Sequence, residues 1–232
     1  MIYITGDTHG RFQRIMAFCE KMQTTVDDTL IILGDVGVNT DSTNETRRRL
    51  KRLSKLPITL FCVHGNHERR PHHYANYELV TAFGARVWAD PNYPNVMFAK
   101  DGEMYDFAGL KTIVCGGAYS IDKQHRLLYG YPWWPDEQPS QPIKNAVESK
   151  LSWHNWNVDV VLTHTCPRKY EPVEVFLPFV DQDKVDKSTE DWLNMIENKL
   201  QYKKWYCGHY HTIKKVDRLQ FMFEDFDEFG LR

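Results

Sequence analysis

The sequence predicts an α/β protein in which a largely parallel β-sheet is covered by helices. The first part of the chain alternates three short apolar runs with two segments of helical periodicity, the order of a β-α-β-α-β unit. The chain has 232 residues, of which 42% are hydrophobic, so it can bury a substantial core. We expect one domain over 1–232, with an aromatic-rich insertion at about 119–142.

The apolar runs of this unit end at glycine or in a polar loop, as buried strands do, and they cover Ile2 to Thr5, Leu30 to Leu33 and Ile58 to Val63. Between the first two, apolar residues recur at helical spacing from Phe12 to Met22. Ser42, followed three residues later by Glu45, predicts a capping box that begins the second helix.

The second half of the sequence is richer in predicted strands. Three strand-like segments with glycine turns indicate a meander, at Val96 to Ala99, Glu103 to Phe107 and Lys111 to Cys115. Ser188 is predicted to cap a further helix. The remaining strands are expected at Val158 to Leu162, at Lys203 to Cys207 and within Ile213 to Phe226.

The net charge and the cysteine content of the chain bear on its partners, its metal sites and its cellular compartment. The formal net charge of -2 gives no strong nucleic-acid signal and no reason to expect a membrane surface as partner. The five cysteines are odd in number and lack a C-x-x-C spacing, which disfavours disulfides and cysteine-built zinc sites. No signal peptide or membrane-spanning run is evident, so we expect a soluble, cytoplasmic protein. The sequence carries no indication of oligomeric state.

Polar residues that can bind metal ions stand at or just past the ends of predicted strands. Oxygen and imidazole donors together suit Mn, Fe or Zn better than Ca. In an extended segment, residues two apart project to the same side, so Asp-x-His and His-x-His can each face one ion. Taken singly, a Gly-Asp pair is more often a turn and a His-x-His more often lies on the surface. The residues concerned are Asp7, His9, Asp35, Asn66, His67, His164, His209 and His211.

The order and placement of these motifs resemble the calcineurin-like metallophosphoesterase superfamily. The resemblance spans nearly the whole chain and rests on Gly6-Asp7-Thr8-His9-Gly10, Gly34-Asp35, Gly65-Asn66-His67-Glu68, Thr163-His164 and Gly208-His209-Tyr210-His211. It implies a four-layer fold, in which a central β-sandwich is flanked by helices, rather than a single open sheet.

The resemblance also implies the roles of the site residues. Asp7, His9 and His211 would hold one metal ion, Asn66, His164 and His209 would hold a second, and Asp35 would bridge the two. His67 would face the phosphate group and assist the leaving group instead of binding metal. The implied activity is hydrolysis of a phosphate ester, as a phosphatase or phosphodiesterase, by a hydroxide held between two divalent or trivalent ions (Mn, Fe or Zn).

One loop departs from the phosphoprotein-phosphatase branch of that superfamily, which continues Gly-Asp with a second acidic residue and an arginine. In this chain the corresponding segment contains Val38 and Asn39 instead of an acidic residue and an arginine. Val38 cannot orient His67, and Asn39 cannot form a bidentate clamp on phosphate. Specificity for phosphorylated proteins is therefore in doubt. Residues near the site loops that could bind substrate instead are Arg11, Arg126 and, in the insertion, Trp134; the alternatives are solvated surface arginines and a tryptophan that packs in the core.

Two other functions stay open at this point. Some proteins of this fold are catalytically silent binding modules, as in the retromer complex, but here every ligand position and His67 are present. A nuclease would be indicated by a basic cleft or by additional nucleic-acid-binding domains, and the sequence shows neither.

Overall fold

The computed structural model describes residues 1–40 and 42–231. Within these residues the helices are α1 (Gln13–Met22), α2 (Thr43–Leu53), α3 (Lys123–Tyr129), α4 (Gln141–Trp153) and α5 (Ser188–Glu197). The strands are β1 (Ile2–Thr5), β2 (Thr29–Ile32), β3 (Thr59–Cys62), β4 (Glu78–Ala82), β5 (Ala85–Ala89), β6 (Val96–Ala99), β7 (Met104–Phe107), β8 (Leu110–Cys115), β9 (Val160–Thr163), β10 (Lys204–Cys207), β11 (Lys214–Val216), β12 (Leu219–Phe221) and β13 (Phe226–Glu228).

The strands form two sheets. The first sheet has the order β13-β1-β2-β3-β6-β5-β4, and the second has the order β11-β12-β10-β9-β8-β7. The central strands of both sheets are parallel: β1, β2, β3 and β6 in the first, and β8, β9, β10 and β12 in the second. Because crossover connections place helices on a parallel sheet, each sheet has one face covered by helices.

Alternation of side chains along the strands sorts the core into three apolar clusters. In β2, Leu30 and Ile32 pack with α1 and α2, whereas Ile31 points to the opposite face and packs between the sheets. In β10, Trp205 packs toward α4 and α5, while Tyr206 points between the sheets. The layers are therefore helix, sheet, sheet and helix, which confirms the expected four-layer α/β sandwich.

Several local expectations are confirmed and others are wrong. Ser42 does cap α2, since its side chain accepts a hydrogen bond from the Glu45 amide at 3.4 Å. Ser188, however, lies inside α5, whose N-cap is Lys187. The predicted meander is also wrong: β6 pairs with β3 and β5 in the first sheet, whereas the hairpin β7–β8 belongs to the second. Local periodicity identifies a strand but does not say which sheet it joins.

The structure adds elements that the sequence patterns did not indicate. The hairpin β4–β5 lies at one edge of the first sheet, and α4 covers the second sheet. The aromatic-rich insertion at about 119–142 contains α3 and the start of α4. None of the residues of α3 is buried. Prediction of a helix from its periodicity needs one apolar side that packs on the core, and this short helix has no such side.

The cysteines and helices agree with the sequence-based expectations as far as they are tested. All five cysteines are free thiols and buried. Burial raises the pKa of the Cys62, Cys115, Cys166 and Cys207 thiols well above their ordinary value, so these groups are unreactive core residues. Among the described residues, no helix combines the length and the apolar character needed to cross a membrane.

Candidate active site

The candidate site lies where five loops meet, beyond the carboxyl ends of β1, β2 and β3 in the first sheet and of β9 and β10 in the second. Parallel strands deliver such loops to one edge of a sheet. Backbone hydrogen bonds tie neighbouring loops together: the His9 amide donates to the Asp35 carbonyl at 2.7 Å, and the Gly208 amide donates to the His164 carbonyl at 2.9 Å. Residues 202 positions apart in sequence, such as His9 and His211, thus come into contact.

One group of potential metal ligands consists of Asp7, His9 and His211. His211 Nε2 lies 3.2 Å from Asp7 Oδ2, and the Nε2 atoms of His9 and His211 are 2.9 Å apart. Asp7 is buried, and its Oδ2 accepts no hydrogen bond from the described residues. A buried carboxylate oxygen without a hydrogen bond is costly unless a cation satisfies it.

A second group brings together Asn66, His164 and His209. Asn66 Oδ1 lies 2.8 Å from His164 Nε2 and 3.1 Å from His209 Nδ1. His164 Nδ1 lies 2.7 Å from the Leu33 carbonyl oxygen, which can only accept, so Nδ1 carries a proton. In neutral His164 the Nε2 lone pair therefore faces the lone pairs of Asn66 Oδ1. Such an arrangement is repulsive on its own and favourable around a cation.

Asp35 lies between the two groups. Its Oδ2 is 3.6 Å from His164 Nε2 and 4.0 Å from His9 Nε2, while its Oδ1 accepts a hydrogen bond from the His67 amide at 2.8 Å. One carboxylate oxygen is thus held by the backbone and the other faces both groups. This is the position that a bridging ligand requires.

The backbone of the site is strained. Four of the seven potential ligands have a positive φ: 46° at His9, 47° at Asp35, 68° at His209 and 50° at His211. Non-glycine residues in this region cost about 1–3 kcal/mol each and persist where the surrounding structure holds them. The concentration of such residues on one constellation points to a functional site rather than to ordinary turns.

Two glycines make room for the ligand side chains. A Cβ atom on Gly34 would collide with His164 Nδ1, and one on Gly65 would collide with Asp35 Oδ1. Gly34 also has a φ of 101°, which side-chain-bearing residues rarely adopt. The glycines of the Gly-Asp and Gly-Asn-His motifs are therefore required by close approach as well as by the turn.

The surroundings shift the pKa values of the potential metal ligands in different directions. Burial lowers the pKa of His9 and of His209, which favours the neutral imidazole that a metal needs. The hydrogen bond to Asp7 raises the pKa of His211. Although burial opposes it, His164 together with His211 and His9 holds the pKa of Asp7 below its ordinary value, so Asp7 is an anion.

His67 stands apart from both groups. Its ring centroid lies 5.8 Å from that of His9, and its Nδ1 is buried without a hydrogen-bond partner among the described residues. Val38 is buried in the apolar core, and Asn39 accepts a hydrogen bond from the Tyr77 hydroxyl at 2.8 Å. Neither residue therefore orients His67 or is available as a phosphate clamp.

Two cavities flank the site, and Asp35 and His67 line both. The basic cavity, with a volume of about 610 Å³, is also lined by Arg48, Arg49, Arg52, Arg126 and Trp134. The apolar cavity, of about 330 Å³, is lined on its far side by Tyr119, Ile121, Val175, Phe176, Leu177 and Val185. Arg126 and Trp134 were predicted from the sequence as substrate-binding residues, and the structure places both beside the site. Arg11 instead pairs with Glu224 at 2.9 Å, with both side chains more than half exposed.

Some residues that support the site carried no sequence signal of their own. Asn66 Nδ2 donates to Ser120 Oγ at 2.9 Å, and Ser120 donates in turn to the carboxylate of Glu137, which also accepts from Trp133 Nε1 at 2.7 Å. This chain of hydrogen bonds, which we call the Ser120–Glu137 network, connects the insertion to a potential metal ligand.

Glu68 was part of a recognised motif but had no predicted role. Its Oε1 accepts from the amides of Gly65 and Val36, at 3.1 and 3.3 Å, and so joins two site loops. Burial, followed by repulsion from Asp35, raises the pKa of Glu68 to about 8.

The chain is similar to known proteins both in sequence pattern and in fold. Residues 1–213 match a family described as calcineurin-like phosphoesterase. Among solved structures, TT1561 of Thermus thermophilus aligns over 100% of this chain and 98% of that chain, with 11% sequence identity and a TM-score of 0.54. A second solved structure aligns over 95% of this chain and 88% of that chain, with 14% identity and a TM-score of 0.50. At these identities the likeness is one of fold.

A protein serine/threonine phosphatase from Saccharomyces cerevisiae is a more remote neighbour. It aligns over 96% of this chain and 66% of that chain, with 14% identity, but its TM-score of 0.32 is too low to support any argument. No curated protein gives a significant match to this sequence.

Proposed function

We propose that this chain, which belongs to the calcineurin-like phosphoesterase family, hydrolyses phosphate mono- or diesters with two metal ions of the Mn, Fe or Zn type. The single observation that carries the proposal is the convergence of seven oxygen and imidazole donors, with Asp35 at their centre, where the loops of both sheets meet. Supporting features are the buried, unpaired Asp7 Oδ2 and the two open cavities beside the donors.

The donor set fits two transition-metal ions. Asp7, His9 and His211 would hold one ion, and Asp35 would be shared between both. The second ion would be held by Asn66, His164 and His209. Mixed imidazole and carboxylate sets of this kind favour Mn, Fe or Zn over Mg and Ca, which prefer oxygen ligands. When bound, two such ions would neutralise charge on the phosphate group and make nearby water more acidic.

The protein's own groups would position the reaction. His67 is only partly buried and lines both cavities, so it can reach a phosphate ester lying across the site. Its backbone amide donates a hydrogen bond to Asp35, which holds the main chain from which the ring extends. In the proposed reaction His67 donates a proton to the departing oxygen, a contribution of about 10²–10⁴-fold in rate. Among the described residues, every cysteine is a buried free thiol, so no cysteine serves as the nucleophile.

A direct test is a screen of the purified, metal-reconstituted protein against nitrophenyl phosphate, bis-nitrophenyl phosphate, cyclic nucleotides and phosphopeptides. We expect hydrolysis of at least one ester class, loss of turnover on chelation and recovery when metal is added back. Asp35→Asn is the matched inactive control. Absence of turnover on every class with two metals bound would contradict the proposed function and favour a silent binding module. Equal turnover by Asp35→Asn would show that any activity comes from a contaminant.

A further inference from the structure

The basic cavity has a wall made by one face of α2. Glu45, Arg48, Arg49 and Arg52 line it, and their spacing of i, i+3, i+4 and i+7 places them on the same side of the helix. An adjacent side of α2 carries Thr46, Leu50 and Leu53, which are buried. The fold therefore fixes the rotation of α2, and the apolar side that anchors the helix turns its arginine side toward the site.

The arginines on this wall have different surroundings. Arg49 is held by Glu45, by the Gly37 carbonyl and by Thr40, so it supports the wall itself. The Arg48 side chain is 78% exposed and shares the same glutamate. Arg52 lies over the Phe12 ring, with 5.6 Å between its Cζ and the ring centroid. Within residues 1–40 and 42–231, no carboxylate lies within ion-pairing distance of Arg52.

The facing wall comes from the insertion. Arg126 donates to Asp122 at 2.8 Å and to the Pro132 carbonyl at 3.0 Å, which fixes its guanidinium beside Trp134. Of the described residues that line the basic cavity, four are arginines and only two are acidic, Glu45 and Asp35. Because Asp35 belongs to the proposed metal centre, the space outside that centre is bounded mainly by positive charge.

We propose that the basic cavity is a subsite for a second phosphate group, and that the substrate is a small molecule with at least two phosphates. This inference rests on the proposed function for the first phosphate, which would lie over the metal centre beside His67. The second phosphate would then be bound by Arg48, Arg52 and Arg126. Arginine suits this task because its planar donors match phosphate oxygens.

A small bisphosphorylated molecule fits the observations better than a nucleic acid. The cavity is walled on two sides, and its volume of about 610 Å³ matches ligand pockets rather than a strand-binding groove. The formal net charge of the chain is -2, which gives no chain-wide positive field of the kind that attracts nucleic acid. The four arginines that line the cavity suit recognition of one additional anionic group.

The test compares two ligands that differ by one phosphate, fructose 6-phosphate and fructose 1,6-bisphosphate, as competitors of nitrophenyl phosphate hydrolysis by the metal-loaded protein. The variant is Arg48→Gln/Arg52→Gln. The matched control is Arg47→Gln/Lys51→Gln, which removes the same charge from exposed positions of α2 that do not line the cavity. All are exposed positions, so thermal unfolding should be unchanged.

In the wild type we expect the bisphosphate to compete at least tenfold more strongly than the monophosphate. The ratio should fall by roughly tenfold in Arg48→Gln/Arg52→Gln, as expected for the loss of charge-assisted hydrogen bonds. It should stay within about twofold in the control, because screening shortens the reach of exposed charges.

Three results would overturn the proposal: equal competition by the two ligands, equal losses in both double variants, or much tighter binding of an oligonucleotide that depends on the same arginines. If the metal-loaded protein hydrolyses no ester at all, both affinities can be measured directly by calorimetry. A preference for the bisphosphate that depends on Arg48 and Arg52 would then support the anion subsite even though the proposed function had failed.

Discussion

Replacing Ser120 with alanine tests whether the insertion positions a metal ligand. Ser120 is 1% exposed and connects the amide of Asn66 to the carboxylate of Glu137. The substitution removes one acceptor and one donor without filling or enlarging the site. The Asn66 amide then loses the contact that turns its Nδ2 away from the site and its Oδ1 toward His164 and His209.

Two effects of different size follow from this geometry. A buried polar group left unpaired costs about 1–3 kcal/mol, which for a chain of this length lowers the melting temperature by roughly 2–12 °C. Loss of a contact that orients a metal ligand lowers metal affinity by about 10–100-fold. Asn66 is the only proposed metal ligand that the Ser120 side chain contacts among the described residues, so we expect this loss at one of the two metal positions and little change at the other.

The assay is a calorimetric metal titration of wild type, Ser120→Ala and the control Ser149→Ala, which changes an exposed serine of α4. The expected result is two tight sites in the wild type and control but one tight and one weakened site in Ser120→Ala. Two unchanged metal affinities in a folded Ser120→Ala protein would refute the idea that the Ser120–Glu137 network orients Asn66. An equal loss at both positions would indicate a general loosening of the site.

Four further outcomes are expected. Chelation should abolish hydrolysis of a chromogenic ester, and Mn should restore it better than Mg; full activity after exhaustive chelation would contradict a two-metal mechanism. Asp35→Asn should lower metal content and turnover more than any other single ligand change, measured by elemental analysis and initial rates, and retention of both metals would exclude a bridge. His67→Ala should keep the metals and slow turnover by about 10²–10⁴-fold on poor leaving groups but less on nitrophenolate; equal losses on both would indicate phosphate binding instead. Burial raises the pKa of Glu190 to about 7 from 4.5, so the unfolded chain loses this proton first and stability falls as pH rises between those values. Glu190→Gln should therefore be more stable than wild type at pH 8, by up to about 3 kcal/mol, and the advantage should vanish near pH 4; a difference that does not vary with pH would contradict this.

The sequence was most informative where chemistry and periodicity act locally. Asp7, Asp35 and His164 each follow a short apolar strand, and the carboxyl ends of parallel strands meet at one edge whatever the intervening chain does. The α/β class and the meeting of the loops could therefore be predicted. The assignment of each donor to one of two ions depended on the family resemblance and stays a prediction.

Features that depend on distant contacts could not be predicted in this way. Nothing about Ser120 distinguishes it from other serines until the fold brings it to Asn66, 54 residues earlier in the chain. Likewise, the segments that form β6 and β7 are both recognised as strands, but tertiary packing assigns them to different sheets. The buried residues of α2 determine the direction in which its arginines point. Only the three-dimensional structure shows that these arginines line the basic cavity.

Both proposed metal positions draw ligands from distant parts of the chain. Asp7 and His9 follow the first strand, whereas His211 follows β10, 202 residues from His9. A bound ion would thus act as a reversible cross-link between the two sheets. Closing a loop of that length in the unfolded chain corresponds to about 5 kcal/mol in the entropy model used for disulfides.

This arrangement means that the proposed metal centre can form only late in synthesis of the chain. A nascent chain that ends before β10 carries Asp7, His9, Asp35 and Asn66 but lacks the histidines that follow that strand. Neither donor group is complete until the chain has been synthesised past His209 and His211. Tight metal capture would therefore wait until β10 and the loop after it have been made, and it would fasten the loop after β1 to the loop after β10.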